Sequence, residues 1–217
     1  MCDTPETRRA DPAEASASPE ALEAALIRER ARAREIDHRA KNTLQLVSSL
    51  VLLMSRRARE EETRRTLSSL HQRIGALAAV HRGFLESAAP DRFDFTSVLR
   101  EQMTGLGRTA PEGVTLRLDL ETVEIPSASA APLALIANEL ATNALAFAGP
   151  AATVTVSLSK VGGGCRLLVE DDGPGLAADA AKAGFGLTMV RLLVQQLGAA
   201  LSLESAQPGL RAVVTAA

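Results

Sequence analysis

The chain has 217 residues, 46% of them apolar, with 24 basic against 26 acidic side chains. It has room for one or two globular domains, and its net charge gives no general pull toward nucleic acid or an anionic membrane. Tryptophan and tyrosine are absent, which removes the usual base-stacking platforms of single-strand binders, and the two cysteines, Cys2 and Cys165, do not make a metal-ligand pattern. No signal peptide and no apolar run long enough to span a bilayer stand out, so a cytoplasmic protein without membrane insertion is expected.

Residues 1–17 are polar and rich in Ala, Ser, Pro, Glu and Arg, and are predicted to be disordered. Ser18-Pro19-Glu20 then reads as a helix start, with Ser18 as N-cap and Pro19 in the first turn. One helix is predicted from there to about Arg59, with apolar residues at Ile36, Ala40, Leu44, Val47, Leu50 or Val51, and Met54. His38 lies two residues past Ile36, off this seam at its solvent edge, and Lys41 and Asn42 share its face. A histidine held in water on a rigid helix can be handed a phosphoryl group; one in a core cannot.

A charged turn near Glu60–Glu62 is predicted to lead into a second helix running to about Ser87, with apolar phase Leu67, Leu70, Ile74, Leu77, His81 and Phe84. His81 falls on this phase and reads as a hydrogen-bonded core histidine; His71, beside the seam, reads as surface or packing. Residues 18–89 thus form a helical hairpin with an apolar seam to cover. Two hairpins from two chains would close a four-helix bundle, so a homodimer is expected.

After Pro90 the texture changes. Val114–Leu120, Val154–Leu158 and Cys165–Val169 alternate as strands do, and Val161-Gly-Gly-Gly164 joins the last two as a hairpin loop. Helices are predicted at about 95–107, 130–148 and 184–197, and a closing strand pair at 200–203 and 212–215. Residues 90–217 are therefore an α+β sandwich, a second domain after the hairpin.

Three segments of this domain carry candidate chemistry. Glu139 and Asn143 stand four apart on one helical face. A carboxylate beside a carboxamide suits a magnesium ion that keeps its waters and bridges to phosphates; the plain alternative is a solvated polar stripe. In Val169-Glu-Asp-Asp-Gly-Pro-Gly175 a strand delivers Asp171 to a glycine turn. An acid there can accept a hydrogen bond from an exocyclic amine such as that of adenine, with Gly173 and Gly175 letting the backbone come close to a flat ligand; the alternative is an ordinary Asp-Gly turn. Gly184-Phe-Gly-Leu opens a helix whose N-terminal N–H groups can face a phosphate, or is a plain glycine loop.

In this order, the His-Arg-Ala-Lys-Asn helix at 38–42, the Asn-Glu-x-x-x-Asn helix, the Asp-x-Gly-x-Gly turn and the Gly-x-Gly-Leu helix start resemble bacterial two-component sensor histidine kinases. The similarity is greatest to the subgroup whose phosphoacceptor motif reads His-Arg-x-Lys-Asn (the HisKA_2 and HWE-type kinases), and it covers the chain from about residue 33 onward. The resemblance implies a dimerisation and phosphotransfer hairpin followed by a Bergerat-type ATP-binding domain, with ATP and Mg²⁺ as ligands. It implies that His38 is the phosphoacceptor and that Asn138, Glu139 and Asn143 form the N-box, with Asn143 on the metal and Glu139 near the metal water or acting as a base. Asp171 would bind the adenine amine, Gly173 and Gly175 would shape the pocket, and Gly184 and Gly186 would bound an ATP lid whose one cation is Lys182. Asp37 or Glu139 would orient or deprotonate the histidine. Partners implied are a second copy of the chain, a response-regulator receiver domain whose aspartate takes the phosphoryl group, and an upstream sensor partner.

The sequence departs from the family at Ala146 and Phe147, where a Lys and then a His or Tyr are usual, and at Asp37, where a His is frequent. The lid between Leu176 and Ala183 is short and Ala-rich. These departures define an alternative, a histidine phosphotransferase or pseudokinase that relays phosphoryl groups between receiver domains without ATP. A regulator that only sequesters a response regulator is a third reading.

Overall fold

The computed structural model describes residues 19–86, 91–174, 185–206 and 208–216. The segment 1–17 and the positions Gly175, Lys182 and Gly184 lie outside them. The chain divides into two compact units, Met1–Arg39 and Ala40–Ala217, the division falling inside the first helix.

In the first unit, α1 (Pro19–Arg57) begins at the proline expected in its first turn and carries His38; the His38 side chain is outside the described ones. Arg39 reaches back one turn to Glu35 at 2.5 Å, an exposed pair worth a few tenths of a kcal/mol (~0.3–0.5).

In the second unit, the remainder of α1 is followed by α2 (Glu61–Glu86). His71 Nδ1 faces the Ser48 hydroxyl at 3.0 Å and the Ser48 carbonyl at 3.1 Å, so it pins one helix to the other. Val47, Leu50 and Met54, predicted for the seam, are exposed, as are Leu46 and Leu53. Of the phase predicted for α2, Leu67, Ile74 and Leu77 are half-buried. The buried residues of this helix are Ala76, Ala78, Ala79 and Val80, whereas Leu70 and Phe84 are exposed and His81 is half-buried. Small side chains at the buried positions let the helix lie close to its neighbours.

Beyond residue 90 come β1 (Arg92–Asp94), α3 (Phe95–Gly107), β2 (Thr115–Leu120), β3 (Glu124–Pro126), α4 (Ser127–Phe147), β4 (Thr153–Val161), β5 (Gly164–Asp171), α5 (Phe185–Gln196), β6 (Ala200–Ser205) and β7 (Leu210–Ala216). The expected helices and strands are present with ends shifted by a few residues. β1 and β3 were not anticipated. They pair with each other antiparallel, Phe93 opposite Ile125, in a segment too short to show alternation. Asp94 caps α3, its Oδ1 accepting from Ser97 N at 3.2 Å.

The main sheet has the order β2-β4-β5-β7-β6. β2 and β4 are parallel and the other pairs antiparallel. A parallel pair needs a crossover, and α4 supplies it. On the inward face, Val154, Val156, Leu158, Leu167, Val169 and Val214 meet Leu133, Ile136, Ala137 and Val190 from the helices. The alternate residues Thr155, Ser157 and Glu170 are half-buried on the other face. This two-layer α+β arrangement matches the expected sandwich. α4 corrects one expectation: by length and composition it is apolar enough to cross a bilayer. It is the core helix, however, with Leu133, Ala134, Ile136, Ala137 and Ala141 each at 0% exposure.

Candidate nucleotide site

The site is built around α4. Its apolar face is spent on the sheet, yet the polar residues beside that face are also withdrawn from water. Glu139 is 4% exposed and Asn138 is 3% exposed. A solvated polar stripe does not describe this helix. A buried carboxylate requires a partner, because an uncompensated buried charge costs several kcal/mol (roughly 3–5).

That partner is Arg73, on α2. Its Nε donates to Glu139 Oε1 at 2.8 Å and its Nη2 to Oε2 at 2.9 Å, a two-pronged pair. The hydrogen bonds to Glu139 hold the Arg73 guanidinium above its usual basicity, against the opposing effect of burial. The guanidinium carbon also lies 4.9 Å from the centre of the Phe185 ring. Nothing in the motif pattern marked Arg73. The available signal was a cation beside an otherwise apolar run, Ile74 to Val80.

Asn143 follows Glu139 by one turn and is half-buried. The start of α5 comes to the same place. A Cβ on Gly186 would stand 2.6 Å from Glu139 Oε2 and 3.7 Å from Asn143 Nδ2. Two segments more than forty residues apart in sequence are thus brought together by the absence of one side chain. The first turn of α5 has N–H groups without partners in its own helix, and its dipole is positive at that end.

Asp171 ends β5 and is 8% exposed. Its Oδ1 accepts from Gly173 N at 3.0 Å. A carboxylate that accepts one such bond keeps lone pairs for a further donor. The close approach that Gly173 permits is to protein: a Cβ there would lie 2.0 Å from the Ala148 carbonyl oxygen, at the C-cap of α4. Gly209, at φ +97°, is a second such position, where a Cβ would lie 1.7 Å from the Asp171 carbonyl oxygen. The two glycines clamp the strand end that presents Asp171, and Gly209 was not singled out from sequence. Ala146 and Phe147, the departures in the last turn of α4, are exposed. An open cavity of about 600 Å³ on the other face of the sheet is lined by Arg117, Thr155 and Arg211, with Glu170, Asp171 and Asp172 from the Asp-x-Gly-x-Gly segment. Among the described residues no cluster of three or more His, Cys, Asp or Glu side chains could hold a metal by itself. A magnesium ion bound mainly through phosphates and water needs no such cluster.

Comparison with known proteins decides the family. Residues 35–110 match the family described as histidine kinase. Residues 128–216 match the family of histidine kinase-, DNA gyrase B- and HSP90-like ATPases. The chain belongs to the histidine kinase family, in its HisKA_2/HWE-type subgroup.

Among histidine kinases of known sequence, this chain is 30% identical over 190 residues to blue-light-activated histidine kinase 2 of Erythrobacter litoralis, covering 81% of this chain and 54% of that protein. It is 30% identical over 195 residues to the sensor histidine kinase PdtaS of Mycobacterium tuberculosis, covering 84% of this chain and 38% of that one. It therefore spans about half the length, or less, of these relatives. Among solved structures, the histidine kinase domain of the Erythrobacter litoralis EL346 blue-light activated histidine kinase superposes with a TM-score of 0.64 at 26% identity, covering 84% of this chain and 91% of that one.

Proposed function

We propose that this histidine kinase chain autophosphorylates His38 from Mg-ATP and passes the phosphoryl group to a receiver-domain aspartate of a response regulator. The observation that carries the reading is the convergence of Glu139, Asn143 and the start of α5 at Gly186. A carboxylate, a carboxamide and a helix N-terminus in one place fit a magnesium-bridged polyphosphate. Asn143 would ligate the ion, Glu139 would hold a metal water or take a proton, and Asn138 supports Glu139. Asp171 would accept from the adenine amine, with Gly173 and Gly175 shaping that end. Gly184, Lys182 and Gly186 belong to the lid and its hinge.

ATP supplies the phosphoryl group. In the step itself a neutral imidazole nitrogen of His38 bonds to the γ-phosphorus as the bond to the β,γ-bridging oxygen breaks, and ADP leaves. The imidazole proton passes to Asp37 or Glu139. The domain division at residues 89 and 90 separates the hairpin from the nucleotide domain in this reading. The exposed stripe of Leu46, Val47, Leu50, Leu53 and Met54 supports a homodimer closed into a four-helix bundle. A cytoplasmic location is part of this reading.

The test is incubation with γ-labelled ATP and Mg²⁺. Acid-labile label on the wild type, absent from His38→Ala and from Asn143→Ala, is the expected result. A wild type that takes label only from a phosphorylated receiver domain would replace the kinase with the phosphotransferase reading.

A further inference from the structure

We propose that Arg73 is a positioning residue for phosphoryl transfer, its guanidinium fixing the orientation of the Glu139 carboxylate from helix α2. The inference rests on the reading of Glu139 as a group that acts in that reaction.

Three observations carry it. The pair is two-pronged: separate nitrogens donate to separate oxygens at 2.8 and 2.9 Å, which sets both the plane and the direction of the carboxylate. A lysine, a point charge, would leave it free to rotate. The pair is also enclosed, with side-chain exposures of 17% for Arg73 and 5% for Glu139, so it is neither screened nor mobile like a surface ion pair. Finally, the carboxylate is confined on two sides. Oε2, which accepts from Arg73 Nη2, is also the oxygen nearest the space a Gly186 side chain would fill. Phe185, the preceding residue, lies under the guanidinium. Arg73 thereby joins three elements at one oxygen: α2, the Asn-Glu-x-x-x-Asn helix and the first turn of α5.

A pair kept only for stability would sit as well at any buried point between α2 and α4. This one engages the carboxylate that shares its helix face with Asn143 and adjoins the start of α5. Ala146 supplies no cation to this helix, and Arg73 brings one to it from elsewhere in the chain.

The experiment is steady-state autophosphorylation of the full chain across ATP concentrations, for wild type, Arg73→Lys, Arg73→Gln, Glu139→Gln and the Arg73→Gln/Glu139→Gln double variant. A misdirected catalytic group costs on the order of 10²-fold, so kcat should fall by about that factor in Arg73→Gln and by roughly a tenth of it in Arg73→Lys, with KM held within about twofold. The double variant should be no slower than Glu139→Gln alone, because Arg73 acts through Glu139. Should Arg73→Gln fail to fold around its unpaired carboxylate, Arg73→Lys and the double variant, which strands no charge, still give the answer. Wild-type kcat in Arg73→Lys, or an equal loss from Arg73→Gln on the Glu139→Gln background, would overturn the inference while leaving Glu139 in place. Wild-type kcat in Glu139→Gln would sink the reading of Glu139 itself, and the positioning role with it.

Discussion

The Glu139 carboxylate occupies the space that a side chain on Gly186 would need: a Cβ there would stand 2.6 Å from Glu139 Oε2. Real Cβ atoms essentially never come that close to a non-bonded neighbour, so Gly186→Ala must push α5 away from α4 or displace the carboxylate. Overpacking of this kind costs about 1–3 kcal/mol. If the start of α5 holds phosphate, affinity for a fluorescent Mg-nucleotide should fall by about tenfold, or ~1.4 kcal/mol. Thermal melting and a binding titration on the same sample separate the two effects. Undiminished affinity in a destabilised protein would show that α5 does not contribute to binding.

Asp171 should govern the choice of base. Its buried carboxylate accepts from Gly173 N, and the Asp171 carbonyl oxygen occupies the space a side chain on Gly209 would need. Asp171→Asn keeps the shape and exchanges an acceptor for a donor. Affinity for ATP should drop by roughly tenfold or more, while the weaker affinity for GTP, which has a carbonyl where adenine has its amine, stays level or rises. Equal losses for both nucleotides would place Asp171 outside base recognition. Gly209→Ala should lower stability, because φ +97° and the overlap a Cβ would make with the Asp171 carbonyl oxygen both oppose a side chain there.

The exposed stripe on α1 should close a dimer. Leu46 is 62% exposed, Leu50 52% and Met54 58%. These lie at four-residue steps and present one continuous apolar strip. Light scattering should give twice the chain mass for wild type. Leu50→Asp should give a monomer that keeps the helical and strand signals of the fold. A monomeric wild type would refute the bundle.

Cys165 should be a silent thiol. It is 1% exposed on the inward face of β5, and burial pushes its pKa up from the ordinary thiol value. In a Cys2→Ser background, reaction with an aromatic disulfide reagent should follow global unfolding. The sign of the pH effect follows from the same shift. The folded chain holds the proton to higher pH than the unfolded chain, so this contribution is intact below the ordinary thiol range and is lost as pH rises through and beyond it. Urea midpoints should fall above about pH 9, less so in Cys165→Ala. Rapid labelling of the native protein would contradict the burial.

The sequence by itself determined the order of parts. Periodicity separated a helical hairpin from a mixed α+β domain, since spacings of three and four, or of two, follow from backbone geometry and survive in any context. It also determined which residue types stand at His38, Glu139, Asn143, Asp171 and Gly186, because those motifs are local. Tertiary structure alone decided what these residues meet. Arg73 and Glu139 are sixty-six positions apart, and their pairing follows from α2 lying against α4, which no local pattern announces. The same holds for β1 with β3, and for the strand end pressed between Gly173 and Gly209. Contacts set by close packing depend on where a side chain is missing as much as on where one is present, and that complementarity exists only once the chain has folded.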